Sequence, residues 1–156
     1  MTRNVATTTT VDREALVDFV RSRHRVIVTT TRSDDSPQSS PVAAGVDDAG
    51  RIVVSTYPER AKVTNARRRP AGSALILSDD WNGPWVQVWG RFEVVELPDA
   101  LEPLVEYFRA ISGEHPDWDE YRTAMTTQGK CLLRLEIESW GPIATGGFPA
   151  RLADSP

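Results

Sequence analysis

The segment Ser55-Thr56-Tyr57-Pro58-Glu59-Arg60-Ala61-Lys62-Val63-Thr64-Asn65-Ala66-Arg67-Arg68-Arg69-Pro70 places two hydroxyls, a helix start and five cations side by side. That is the chemistry of anion binding. Ser55 and Thr56 close a strand, Pro58 suits the first position of a helix, and Pro70 ends it by disfavouring the α region at Arg69. The unpaired N–H groups of a first helical turn attract phosphate, and Arg60 and Lys62 project from that turn. Arginine can grip two phosphate oxygens at once.

The rest of the chain narrows the ligand. Arg60, Lys62, Arg67, Arg68 and Arg69 supply +5 to a formal net charge of −4, which leaves −9 on the remainder. A basic patch on an acidic molecule favours one small anion over a long polyanion, so nucleic acid is not expected. At helical spacing Lys62, Asn65 and Arg69 share a face while Arg67 and Arg68 point elsewhere, so part of the arginine triplet should pair with acidic surface. A lone Cys131 excludes an internal disulfide, and His24 and His115 lack metal-ligand spacing. No apolar run suggests a signal peptide or a membrane span, and the expectation is a cytoplasmic protein with no catalytic nucleophile and no metal.

The elements that must position these residues follow from periodicity. Residues 1–10 read as a flexible arm, 11–145 as one domain and 146–156 as a flexible tail. Asp12 caps a helix reaching about Arg23. Strands are expected at Val26–Thr31, Gln38–Val46, Ile52–Thr56, Ala74–Leu77, Trp85–Leu97 (bending near Gly90) and from Cys131 to Glu138, where the alternation turns Cys131 inward. Helices are expected over Pro98–Ile111, stopped by Gly113, and Trp118–Met125. Strands this close together join as antiparallel neighbours, so the fold class is mainly β: a six-stranded antiparallel barrel with peripheral helices.

The order of strand, Ser55-Thr56, Arg60-Ala61-Lys62, Asn65, Arg67-Arg68 and Pro70 resembles the split β-barrel flavin and deazaflavin oxidoreductases, the FMN-binding superfamily of pyridoxamine 5′-phosphate oxidase. The run Gly113-Glu114-His115-Pro116-Asp117-Trp118-Asp119-Glu120-Tyr121-Arg122, followed by Ala124-Met125, is similar to its actinobacterial branch that uses coenzyme F420, a deazaflavin. The resemblance spans roughly residues 12 to 143.

That resemblance implies a homodimer with two cofactor sites at the subunit interface and a small-molecule substrate. Arg60 and Lys62 would hold the cofactor phosphate and Ser55 and Thr56 would line the ribityl chain. Gln38, Ser39 and Ser40 would approach the ring, and Asn65 belongs to the same motif. Trp85 would reach the ring edge of the partner's site. Pro41 stands where relatives often carry Asn. The passage from Trp140-Gly141-Pro142 into Ala144-Thr145-Gly146-Gly147 lacks the Arg-x-His segment that binds a vitamin B6 phosphate. The implied activity is an F420-dependent reductase, with an FMN-dependent oxidoreductase or a non-catalytic flavin, deazaflavin or haem binder as alternatives. Trp85, Gln87 and Trp89 share one face of an extended strand, read as interface packing or ring contact. His115 should brace the helical pair, and Arg122, Lys130 and Arg134 read as surface charges, with a polyglutamate tail as the sharper alternative.

Overall fold

The computed structural model describes residues 4–153. In chain order the elements are β1 (Thr7–Thr9), α1 (Arg13–Arg21), β2 (Arg25–Thr31), β3 (Pro37–Ala43), β4 (Gly45–Val46), β5 (Ile52–Thr56), α2 (Ala61–Arg68) and β6 (Ala71–Leu77). They continue with β7 (Val86–Val95), α3 (Leu101–Ser112), α4 (Trp118–Gln128), β8 (Cys131–Trp140) and β9 (Ile143–Thr145), and a short 3-10 turn spans Ala150–Leu152. Seven strands form one antiparallel sheet in the order β3-β2-β6-β7-β8-β5-β4, curled into a half-barrel, and β1 pairs with β9. The mainly β architecture is thus as the sequence implies, although the strands number more than six.

Alternation explains how one sheet serves two packing layers. On β8, Leu133, Leu135 and Ile137 enter the main core with Val26, Val28, Ile76, Val86 and Val88, while Cys131 is buried beside them. Leu132 of the same strand and Val53 of β5 face the other way, into a second cluster with Leu104, Val105, Tyr121 and Met125 of α3 and α4. Full burial of each such side chain stabilises by about 1.5–3 kcal/mol. The helical pair is therefore a cover on one flank of the sheet, and it leaves the outer face of β2, β6 and β7 open.

The long β7 bends where expected. Register shifts between Trp89 and Gly90, with Trp89 opposite Ser139 and Gly90 opposite Ile137, so Glu138 is the extra residue of a bulge. A Cβ on Gly90 would run into the Glu136 carbonyl oxygen. Only glycine lets the two backbones meet there.

Several boundaries differ from the sequence expectation. The run Gln38–Val46 divides at Ala44, because β4 leaves β3 to pair with β5 and lies close against α3: a Cβ on Gly45 would sit 3.2 Å from that of Ala110. β6 starts at Ala71, since its first residues pair with Arg91 and Gly90 of β7. β7 covers Val86–Val95, with Trp85 joined to Ala144 in a separate bridge. The helices extend over Leu101–Ser112 and Trp118–Gln128.

The expected arm and tail have local order where they are described. Thr7–Thr9 pair with Ile143–Thr145, and the Thr7 and Thr145 hydroxyls lie 2.8 Å apart. The Ala6 amide donates to the Phe148 carbonyl at 2.8 Å, and the Phe148 amide donates to the Asn4 carbonyl at 2.8 Å. Residues 1–3 and 154–156 of those segments lie outside the described residues.

Candidate functional site

The cationic corner forms where β5, α2 and β8 meet. The helix starts later than Pro58 suggests: Tyr57 to Arg60 make a turn, with the Arg60 amide donating to the Tyr57 carbonyl at 3.1 Å, and α2 begins at Ala61. Arg60 is therefore the N-cap and Lys62 lies in the first turn, where no side chain caps the helix. Among the described residues neither cation has an ion pair. Arg60 instead lies 5.9 Å from the centre of the Tyr57 ring, and Lys130 reaches the same ring at 4.0 Å. Lys62 is half-buried, and its pKa falls below the ordinary value, first because burial disfavours the charged form and second because Arg60 stands beside it.

The other cations of α2 are engaged. Arg67 pairs with Glu96 at 2.8 Å, Arg69 with Asp35 at 2.6 Å, and Arg68 donates to the Thr31 carbonyl at 2.8 Å. The triplet thus ties the helix to the barrel rim. Likewise Arg122 pairs with Glu102 and Arg134 with Glu93, which holds the Glu93 carboxyl below its usual range. Of the three surface cations noted in the sequence, Lys130 alone stands at the corner.

Asn65 is buried, and its amide nitrogen donates to Thr30 Oγ1 at 3.1 Å and to Gln38 Oε1 at 2.9 Å. Its carbonyl oxygen accepts from Arg68 at 3.2 Å. These bonds fix α2 against β2 and β3. Gln38 and Ser40 sit opposite Thr30 and Val28, on the inner face, whereas Ser39 lies on the outer face with its hydroxyl 2.8 Å from that of Thr29. Thr56 is buried opposite Cys131, while Ser55 is half-buried opposite Leu132, on the flank that α3 and α4 cover. Strand alternation thus separates each of these hydroxyl neighbours.

Ser39, Thr29, Ser73, Trp89 and Ser139 form one row across the open outer face. Trp85 lies five residues from Gly90 on β7, and Gly90 stands level with Thr30 and Gln38 through Gly72. At about 3.3 Å per residue this separates Trp85 from Gln38 by roughly 17 Å along the strands. Within one chain the structure does not bring Trp85 to the cationic corner.

A hollow of about 560 Å³ beside Trp85 includes Leu75, Leu77, Trp81 and Gln87. Trp81 is 84% exposed, Trp89 43% and Trp85 39%. Sequence reading noted the tryptophans but not the hollow, since Leu75, Leu77 and Gln87 come together only through the β6–β7 register; the shared face of Trp85 and Gln87 was its one signal.

His115 packs on Phe108, Trp118 and Tyr121 with ring centres 5.2–5.7 Å apart, and its Nδ1 accepts from the Asp117 amide. It braces the helical pair, as expected. Among the described residues no group of His, Cys, Asp and Glu is placed to hold a metal, and no helix is long and apolar enough to cross a membrane.

Solved structures share this architecture. A conserved hypothetical protein from Mycobacterium tuberculosis superposes with a TM-score of 0.73 at 23% identity, covering 86% of each chain. An F420 reductase gives 0.60 at 15% identity, covering 80% of this chain and 94% of its own. General stress protein 26 from Bacillus anthracis gives 0.61 at 15% identity, covering 84% and 92%. At such identities the likeness speaks for the fold. Residues 12–144 match the pyridoxamine 5′-phosphate oxidase family model, which takes in the sheet, the cationic corner and both flanking helices, and the chain belongs to that family.

Proposed function

We propose that this protein is an F420-dependent reductase that works as a homodimer and reduces an electron-poor small molecule such as an enone, quinone or tetrapyrrole. The observation that carries the reading is the contrast within α2: Arg67 and Arg69 have carboxylate partners, whereas Arg60 and Lys62, at the helix start, have none among the described residues. A half-buried ammonium with no counter-ion is stabilised by an incoming anion, and the amides of Ala61 and Lys62 have no backbone acceptor among the described residues. The residues present fit a phosphate-bearing cofactor.

A bound deazaflavin would supply a hydride donor with little one-electron reactivity toward oxygen. The chain's own part is binding and orientation. Arg60, Lys62 and the α2 amides hold the phosphate, and Thr56, with Ser55 on the opposite strand face, ends the strand beneath it. Gln38 is held by Asn65 at the edge of the sheet, so the β3 side chains that approach the ring have a fixed origin. The roughly 17 Å between Trp85 and Gln38 along the strands supports a site completed by a second subunit, whose Trp85 would close the ring pocket.

A fluorescence titration of the purified protein with coenzyme F420 and with FMN tests this. The expected result is tighter binding of F420, with Lys62→Ala weakening it by about 2 kcal/mol, near thirtyfold in Kd, for a lost charged hydrogen bond. Tighter binding of FMN would move the assignment to a flavin oxidoreductase, and binding of neither would remove it.

A further inference from the structure

We infer that Lys62 is a modification site: small acyl phosphates, of which acetyl phosphate is the simplest, seat their phosphate at the cationic corner and transfer the acyl group to the Lys62 amine. The seating rests on the reading of that corner as a phosphate site, whereas the transfer is a property of the lysine itself.

The choice of cations points this way. Of the 18 lysines and arginines in the chain only Lys62 and Lys130 are lysines, and both stand at this corner. Arginine holds a phosphate at least as well, since it grips two oxygens at once. What lysine adds is an amine that can lose its proton and become a nucleophile. The two lysines are placed differently. Lys130 lies 4.0 Å from the centre of the Tyr57 ring, whose face attracts a cation. Lys62 is half-buried and has no carboxylate partner among the described residues; burial first, and the charge of Arg60 second, lower its pKa, so more of it is free amine than in an open lysine.

An acyl phosphate supplies both functions in one molecule. Its carbonyl carbon is a single oxygen away from phosphorus, so a phosphate held by Arg60 presents the carbonyl to the neighbouring amine, while a simple ester brings no anion to hold. The amine lone pair forms the N–C bond as the C–O bond to the phosphate breaks. The bonding pair leaves with the phosphate, which takes up one proton from the amine nitrogen and departs as hydrogen phosphate; nothing is oxidised or reduced. The product is a neutral amide in place of one of the two unpaired cations at the start of α2, and the attraction of the corner for a phosphate-bearing cofactor falls with it.

Peptide mass spectrometry of the cofactor-free protein incubated with acetyl phosphate tests the assignment, with Lys130 as the reference amine in the same molecule. Lys62 is expected to gain an acetyl group faster than Lys130 by about tenfold or more. Inorganic phosphate should slow the reaction at Lys62 and not at Lys130, and Arg60→Gln, a change at an exposed side chain, should slow it several-fold. The uncharged ester p-nitrophenyl acetate should show a smaller preference for Lys62. Lys130 reacting as fast as Lys62, a Lys62 rate indifferent to both phosphate and Arg60→Gln, or an equal preference with the uncharged ester would overturn the inference. Circular dichroism of the variant reports whether it has folded. Titration of the unmodified and acetylated protein with F420 and FMN separates the two readings. Selective acetylation of a protein that binds neither cofactor keeps the modification site and removes the reductase, and F420 binding without selective acetylation removes the modification site alone.

Discussion

Asn65 Nδ2 lies 2.9 Å from Gln38 Oε1, so the helix that carries Lys62 and the edge strand that carries Ser39 and Ser40 are joined by one buried side chain. The same nitrogen reaches Thr30 at 3.1 Å, which makes Asn65 a bridge among three elements. Replacing it with Leu would strand the buried Thr30 hydroxyl and leave the half-buried Gln38 carbonyl without its donor. Asn65→Leu should therefore lower unfolding free energy by about 2 kcal/mol, read from urea midpoints. A midpoint equal to that of the parent would mean that the bridge does not hold the helix.

Lys62 sets stability against binding. Its pKa is depressed in the folded chain, so folding disfavours its charged form; this penalty is present at neutral pH and fades as pH rises through the folded pKa. Cofactor-free Lys62→Met should unfold at slightly higher urea concentration than the parent at pH 7, with the gap narrowing toward alkaline pH, while losing affinity for phosphate-bearing cofactors. A lower midpoint for the variant would show that the ammonium has a stabilising partner.

Gly90 is the residue least able to change. Because a Cβ there meets the Glu136 backbone and not a movable side chain, relief requires β7 and β8 to part at the bulge. Gly90→Ala should cost about 3 kcal/mol or prevent folding, checked by thermal denaturation of the soluble fraction. A melting temperature within a degree or so of the parent's would refute the close approach.

Acid should release one ion pair. Glu93 has a folded pKa below its unfolded value because Arg134 donates to both its oxygens, at 3.0 Å each. The resulting stability is complete above the unfolded pKa and disappears as pH falls through the folded one. Since Glu93 is largely exposed, the effect is within about 1 kcal/mol. Glu93→Gln should lower the urea midpoint slightly at neutral pH and flatten the acid limb below roughly pH 4.5, so that variant and parent converge in acid. An acid limb as steep as the parent's would place the titration elsewhere.

Much of this was legible in the chain because the relevant signals are local. The alternation in Cys131, Leu133, Leu135 and Ile137 gave β8 its inner face, and Asp12, Gly113 and Pro70 marked ends that the structure keeps. What escaped depends on partners far away in sequence. The threonines of β1 carry no apolar alternation, and their ladder to β9 is held by backbone and hydroxyl groups 138 residues apart. The start of α2 was placed too early because Pro58 suits a helix start and a turn equally well, and the bond from Arg60 to Tyr57 decides for the turn. Asn65 stood out through its motif, yet its partners Thr30 and Gln38 lie 35 and 27 residues away, beyond any helical or strand period.

The bridge between Val5 and Phe148 brings segments from opposite ends of the sequence into adjacent tracks. A short peptide joining them, with new termini opened between Asp48 and Ala49 at an exposed hairpin tip, should yield a rearranged chain that refolds to the same sheet. Peptide tags would then leave from the hairpin side.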